Sequence, residues 1–314
     1  MPRILDENEY VKQLLSKPRP NENECLAFYD HRLGAVCRNP RLMLLPVDDH
    51  LVHRGDGVFE TLKMIDRRLY LVDAHLERLR KSCRGLDIRM PAPLEEIRAL
   101  IVDMLRSVRE KDVLVSMYVG RGPGGFTTDI RECPEPSLYI VVRAMHHRPQ
   151  SFWENGVTVF KTSIPAKQGY LARIKTVDYL PNVLMKKEAV EKGYDFPLCF
   201  DENNFLAEGA TENVIIVDEN GKMIVPDFVN ALAGTTLMRA LELIKHEKSF
   251  IFRSIREDEL YSAREIVMVG TTLDAVGVIR YNGKPVHDVR PGPVAKRLRE
   301  LLQKDLEKNG TLIA

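Results

Sequence analysis

The sequence predicts a two-domain chain of mixed class, α/β or α+β, and three observations carry that expectation. At roughly 100–200 residues per domain, a chain of 314 residues holds two. Segments that alternate apolar and polar residues, as strands do, are interspersed with segments whose apolar residues recur every three or four positions, as helices do. A polar, proline-containing stretch at 145–153 separates the halves. The expected division is 1–144 as a smaller N-terminal domain with a short extension, 145–153 as a linker and 154–314 as a larger domain.

The elements follow in order. Residues 7–16 suit a short helix, ended by Lys17-Pro18-Arg19-Pro20 because the residue before proline leaves the helical region. Strand-like pieces follow at Cys25–Asp30, Gly34–Cys37, Leu42–Leu45 and Gly57–Met64. Asp73 can cap a helix that carries Leu76, Leu79, Cys83 and Leu86 on one face. Ile97, Leu100, Ile101, Met104, Leu105 and Val108 stripe a helix over Leu94–Val108. Val113–Val119 and Leu138–Val142 read as strands around a glycine-rich loop. In the second half, Gly156–Lys161, Phe196–Phe200, Asn213–Val217, Lys222–Val225, Glu265–Val269 and Ala275–Tyr281 read as strands. Asp178–Lys192 reads as a helix, with Pro181 tolerated in its first turn and Gly193 as its stop. Further helices are predicted from Thr235 to about Lys245 and from Pro293 to about Lys308.

Composition excludes several function classes. With 46 Lys and Arg against 45 Asp and Glu, the chain lacks the strong positive field of a nucleic-acid coat or a polybasic membrane binder. The five cysteines form no CxxC pair, which argues against zinc ribbons and dithiol redox chemistry. Free thiols, a charged N-terminus without an apolar core and no run approaching ~18 apolar residues together predict a soluble, cytoplasmic protein.

Few segments have the residue types that chemistry needs. The loop Gly120-Arg121-Gly122-Pro123-Gly124-Gly125 lacks the Gly-Lys-Ser/Thr ending of a nucleotide loop and reads as a turn between strands. The histidines, including His146-His147, offer no metal-ligand spacing, and no G-x-S-x-G elbow supports a serine nucleophile. Gly234-Thr235-Thr236 precedes a helix, where free backbone N–H groups favour an anion; Gly270-Thr271-Thr272 repeats the pattern after a strand. Arg78 sits beside the apolar stripe of its helix. Lys161, Lys167 and Lys175 all lie early in the second half, and a lysine in a partly apolar setting can condense with an aldehyde. Spacing alone does not choose among them.

Five segments in order carry a family resemblance: Gly55-Asp56-Gly57-Val58-Phe59-Glu60-Thr61, His75-Leu76-Glu77-Arg78-Leu79, Lys175-Thr176-Val177-Asp178-Tyr179-Leu180, Ala207-Glu208-Gly209-Ala210-Thr211-Glu212-Asn213-Val214, and the Gly-Thr-Thr pair at 234–236 and 270–272. From about Ala27 to Tyr281 the chain resembles the class IV (fold type IV) pyridoxal-phosphate enzymes, which include branched-chain aminotransferases, D-amino-acid transaminases and aminodeoxychorismate lyases. The resemblance implies a smaller N-terminal α/β domain, a larger pseudo-barrel α/β domain, pyridoxal 5'-phosphate as cofactor and a homodimer. It implies Lys175 as the Schiff-base lysine, Glu208 facing the pyridine nitrogen, Tyr179 near the phenolate oxygen, and Arg78, Thr235, Thr236 and Thr271 on the phosphate. Arg121, Tyr118 and Arg54 are candidates for gripping a substrate carboxylate, because a guanidinium binds one bidentately. The expected function is transamination between an amino acid, or amine, and a 2-oxo acid. A lyase releasing pyruvate with the same lysine is the alternative, favoured by the glycine-rich run at 121–126. A non-catalytic binding relative is a minor one.

Overall fold

The alternating segments of the N-terminal half assemble into a single sheet. The computed structural model describes residues 2–314. Its first unit comprises 2–146 and Leu312–Ala314. Helix α1 (Glu7–Ser16) is capped by Asp6, whose side chain accepts from the Glu9 N–H. After it come β1 (Cys25–Asp30), β2 (Ala35–Cys37), the single turn α2 (His50–His53), β3 (Gly57–Ile65), β4 (Arg68–Leu69), α3 (Val72–Gly85), α4 (Leu94–Arg106), β5 (Val113–Gly120) and β6 (Ser137–Ala144). The strand order is β4-β3-β5-β6-β1-β2, with the C-terminal strand Thr311–Leu312 at the β4 edge. The pairings from β4 to β2 are all antiparallel.

Side chains alternate across a strand, so the sheet has two distinct faces. Val58, Glu60 and Leu62 share a face with Val115, Met117 and Val119, all fully buried. That face meets α3, which buries Leu76, Leu79 and Cys83, and the same layer includes α4 with Ile97, Ile101, Met104 and Leu105. The other face carries Phe28, Ser116, Tyr118, Tyr139, Val141 and Arg143.

Glu60 is the polar exception in the buried layer. Its carboxylate accepts from Arg78 Nε at 2.7 Å and Nη2 at 2.8 Å and faces His75 Nδ1 at 2.7 Å. These bonds clamp α3 to β3. Burial pushes the carboxyl pKa up, but the charge and hydrogen bonds of Arg78 and His75 outweigh it and hold the group at about 2.

Two local expectations fail in this unit for backbone reasons. Leu42–Leu45 is not a strand; Asn39 accepts from the Arg41 N–H and starts a 3-10 turn over Pro40–Leu42. Asp73 does not cap α3, which begins at Val72 after Leu71 in the left-handed region at φ 53°. Asp73 instead pairs with Arg98 at 3.1 Å.

The second unit, His147–Thr311, begins with α5 (Ser151–Asn155), a helix that overlaps the end of the stretch expected to be linker. There follow β7 (Val157–Lys161), α6 (Gly169–Ala172), α7 (Leu180–Lys192), β8 (Phe196–Leu198), β9 (Asn213–Val217), β10 (Met223–Val225), α8 (Thr235–Ile244), β11 (Phe250–Phe252), α9 (Glu257–Ser262), β12 (Glu265–Gly270), β13 (Asp274–Tyr281), β14 (Lys284–Pro285) and α10 (Pro293–Asn309). The strand order is β11-β10-β9-β12-β13-β7-β8, with β14 on β13. The sheet is mixed: β10–β11, β13–β7 and β7–β8 are parallel.

A hairpin after β8 brings the two ends of this sheet together. Phe200 bridges Leu206, Phe205 bridges Arg256, and the Leu206 N–H donates to Ile255 O at 2.8 Å. The residues just past β8 are thereby joined to those just past β11, which curls the sheet around a core that includes Val159, Leu198, Val214, Ile216, Ile266 and Met268. Helix α10 packs on β13, and Glu265, buried at the start of β12, accepts from the Val294 N–H at 3.1 Å and the Ala295 N–H at 3.2 Å. A carboxylate at a helix N-terminus satisfies orphan donors and opposes the dipole. Among the described residues no helix is long and apolar enough to cross a membrane.

Glu60→Ala leaves Arg78 and His75 facing an empty buried site, and urea unfolding is expected to show a loss of about 3 kcal/mol at neutral pH. Because the folded pKa lies below the ordinary 4.5, the stabilisation is present above that value and fades as pH falls toward 2. A difference between variant and wild type that stays constant down to pH 2 would contradict the clamp.

Candidate active site

The second unit gathers six of the expected residues from four stretches of chain. The first stretch runs from α6 into α7. Ile174 and Thr176 are buried on either side of Lys175, so the half-buried lysine is flanked by inward-turned neighbours. Tyr179 then caps α7 by position, and Lys175 Nζ stands 5.6 Å from its ring centroid. Lys167 approaches the same ring, at 5.1 Å. Its Nζ donates to the Asp178 carbonyl and lies 3.3 Å from Thr176 Oγ1. Burial lowers the Lys167 pKa, opposed by the charges of Asp178 and Glu208.

The second stretch is the closing hairpin. The Cys199 N–H donates to Glu208 O at 2.9 Å and the Ala207 N–H to Cys199 O at 3.0 Å, which fixes the backbone at Glu208. Burial pushes the Glu208 carboxyl up to about 7, while the Leu232 N–H and the charges of Lys175 and Lys167 pull the other way. Glu212, buried close by, accepts from the Thr211 N–H and hydroxyl; burial raises its pKa too, and its charge adds to the upward push on Glu208.

The third and fourth stretches are the two Gly-Thr-Thr turns. Asn213, at the start of β9, donates from Nδ2 to Leu232 O at 2.8 Å. That bond holds the loop before α8 so that the Leu232 N–H reaches Glu208 Oε2 at 3.2 Å. Gly234 is required by this close approach: a Cβ there would fall 1.9 Å from Asn213 Oδ1. Thr235 and Thr236 open α8 and are buried. Thr236 Oγ1 lies 3.5 Å from Thr271 Oγ1, so the two turns, 35 residues apart, meet.

This arrangement fits a phosphorylated pyridine aldehyde. A helix N-terminus with paired threonine hydroxyls suits a phosphate, Glu208 suits a protonated ring nitrogen, and a half-buried lysine suits an aldehyde. Lys161 drops out of the lysine set, since its Nζ is tied to Glu257 Oε2 at 2.7 Å and sits over the Phe200 ring. Lys167 stays in it by position. Sequence spacing does not single out Lys167, Glu212 or Asn213; the last two stand inside the Glu208 segment, and their periodicity is that of any strand entry.

The remaining expected residues belong to the first unit. Arg78 is held by Glu60, as described. Arg121 is engaged on every side: it donates to both Asp56 oxygens at 2.7 and 3.0 Å, to Asp87 O at 2.7 Å and to Leu86 O at 2.8 Å. A substrate carboxylate on Arg121 has to displace Asp56. Arg54 donates to the carbonyls of His53, Phe126 and Thr127. Tyr118 stacks on Phe59 with centroids 6.1 Å apart. The glycine-rich loop is packed against chain: Gly122 has φ +110°, and a Cβ there would lie 1.8 Å from Glu135 O. Its glycines answer to that approach and not to a phosphate. Among the described residues no group of three His, Cys, Asp or Glu side chains is placed to hold a metal.

Comparison with known proteins converges on one family. Residues 57–281 match the family model described as amino-transferase class IV. A chloroplastic D-amino-acid transaminase of Arabidopsis thaliana is 32% identical over 90% of this chain and 76% of that protein. A putative branched-chain-amino-acid aminotransferase of Methanocaldococcus jannaschii is 28% identical over 81% of this chain and 88% of that protein. In fold, the crystal structure of a branched-chain aminotransferase from the thermophilic archaeon Thermoproteus uzoniensis with norvaline superposes with a TM-score of 0.82 at 21% identity, covering 91% of this chain and 96% of that one.

In the cofactor-free protein, Glu208 carries a raised pKa, so its ionisation opposes folding as pH climbs from the ordinary 4.5 through about 7. Glu208→Gln is therefore expected to be more stable than wild type at pH 8 by roughly 2 kcal/mol and no more stable at pH 4. Urea midpoints at the two pH values check this; a variant that is less stable at pH 8 would show that Glu208 is well paired there.

Proposed function

The chain belongs to the class IV amino-transferases and works with pyridoxal phosphate, and from that premise we propose that it moves an amino group between an amino acid and a 2-oxo acid through Lys175. The observation that carries this reading is the convergence, within one unit, of a half-buried amine, a carboxylate that feels its charge and a hydroxyl pair at a helix start. When bound, the cofactor supplies an electron sink for the carbanion at the substrate's Cα.

The protein's own groups have distinct tasks in this reading. Lys175 would hold the cofactor through its aldehyde group, and its Nζ would take and return a proton beside the substrate's Cα. Glu208 would face the cofactor's ring nitrogen and favour its protonated form. The backbone donors of Thr235 and Thr236 and the Thr271 hydroxyl take the phosphate charge. Tyr179, whose ring centroid lies 5.6 Å from Lys175 Nζ, would stand near the cofactor's phenolate oxygen. Large apolar side chains exposed around this segment, Tyr170, Leu180 and Val183 among them, support a second copy covering it, hence a homodimer.

Borohydride reduction of the loaded protein is expected to fix the cofactor to Lys175, with Lys175→Ala abolishing the adduct and Lys167→Met retaining it. An adduct mapped to Lys167 overturns the assignment. Mixing the coloured enzyme with single D- and L-amino acids is expected to convert the bound cofactor to its amine form with at least one of them. Pyruvate release from aminodeoxychorismate without any such conversion would instead establish the lyase.

A further inference from the structure

The first unit contains a cleft of about 310 Å³ on the sheet face turned away from α3 and α4. Its floor is the alternating set Phe28, Ser116, Tyr118, Val141 and Arg143, and Leu44 and Leu45 close one side. The volume is at the small end of ligand pockets, and the lining is mostly apolar with few polar groups.

The charges around the cleft are spoken for, with one exception. Asp30, the acidic residue of the lining, has both carboxylate oxygens held by the Arg32 guanidinium, with Nε to Oδ1 at 2.9 Å. Arg19 donates to the carbonyls of Pro40 at 2.7 Å and Met43 at 3.2 Å. The Tyr139 hydroxyl lies 3.2 Å from the Asp49 carboxylate. Arg143 is half-buried and, among the described residues, its side chain has no hydrogen-bond or ion-pair partner. A half-buried guanidinium beside apolar surface is poorly solvated and gains most from a carboxylate, which it grips bidentately.

We propose that this cleft binds a small monocarboxylic acid with an aliphatic or aromatic body, its carboxylate on Arg143 and its body against Phe28, Val141, Leu44 and Leu45. The site uses none of the second-unit groups assigned to the cofactor, so it stands whether or not Lys175 is the reactive lysine. Charge complementarity selects the acid: the neighbouring carboxylate is already neutralised by Arg32, and a cationic or neutral ligand leaves Arg143 unpaired. The nearby hydroxyls of Ser116 and Tyr118 can serve a second oxygen.

The test is the binding of 3-phenylpropanoate and its uncharged amide to the cofactor-loaded full chain, by calorimetry. Arg143→Met is expected to weaken the acid at least about tenfold, Arg143→Lys less, and the amide in neither case. Equal acid affinity in Arg143→Met and wild type overturns the proposal, as does a parallel loss of acid and amide. Should Arg143→Met fold poorly, phenylglyoxal labelling of wild type decides: the acid must slow modification of Arg143 where the amide does not, and no protection by the acid overturns the proposal. Repeating the titration with 3-phenylpyruvate separates two sources of the same chemistry. A 2-oxo acid that shares the Arg143 dependence is a ligand of this cleft, and one that does not leaves the cleft to acids without the oxo group. Lys175→Ala must bind the probe as wild type does, which keeps a failure of the lysine assignment separate from a failure here.

Discussion

Leu232 donates its backbone N–H to Glu208 Oε2 across 3.2 Å, and this bond joins two segments that the chain brings together by different means. Glu208 arrives on the hairpin that curls the second sheet; Leu232 arrives because Asn213 holds its carbonyl. With both in place, the loop must enter α8 at Gly234, and Thr236 then meets Thr271. Strand pairing between β9 and β12 is the base of this arrangement, since it sets Asn213 opposite Val269, next to the second threonine turn. The candidate site thus depends on sheet register, and a slip of one residue in β9 would turn Asn213 away from the Leu232 loop.

Two buried carboxylates show how the same chain handles charge in opposite ways. Glu60 is surrounded by Arg78 and His75 and is held at about 2, so it is a permanent anion and a structural clamp. Glu208 has a backbone donor and the more distant charges of two lysines, and burial drives it to about 7. A carboxylate poised there changes its charge readily with what is placed opposite it, which is the property a site needs if it is to grip a ring nitrogen through hydrogen bonding. Direct pairing, or its absence, separates framework from chemistry.

Much of the framework is legible in the sequence, and the exceptions have identifiable causes. β1, β9 and α1 occupy the residues their patterns predict, because alternation and 3-4 spacing report burial directly. β11 and α9 leave no such trace: Phe250–Phe252 is three residues long, and α9 buries only Leu260. Such pieces are stabilised by their neighbours and carry too little pattern of their own. The start of α3 departs from its sequence signal because Leu71 adopts a left-handed backbone, which neither its residue type nor the apolar spacing reports. For the site, Lys175, Glu208 and the threonine turns are legible only as five segments in order, since each alone resembles an ordinary lysine, strand entry or capped helix.

The sequence by itself determined the mixed class, most of the strands and helices, and the family, because these depend on local periodicity and on motifs read along the chain. The tertiary structure alone decided which charges are committed. Arg121 stands in a promising motif, yet Asp56 and two carbonyls take its donors; Arg143 stands in no motif, yet among the described residues nothing pairs with its side chain in an apolar cleft. The physical reason is that a guanidinium's availability is set by groups far away in sequence. Asp56 is 65 residues from Arg121, and no spacing rule reports across such a distance.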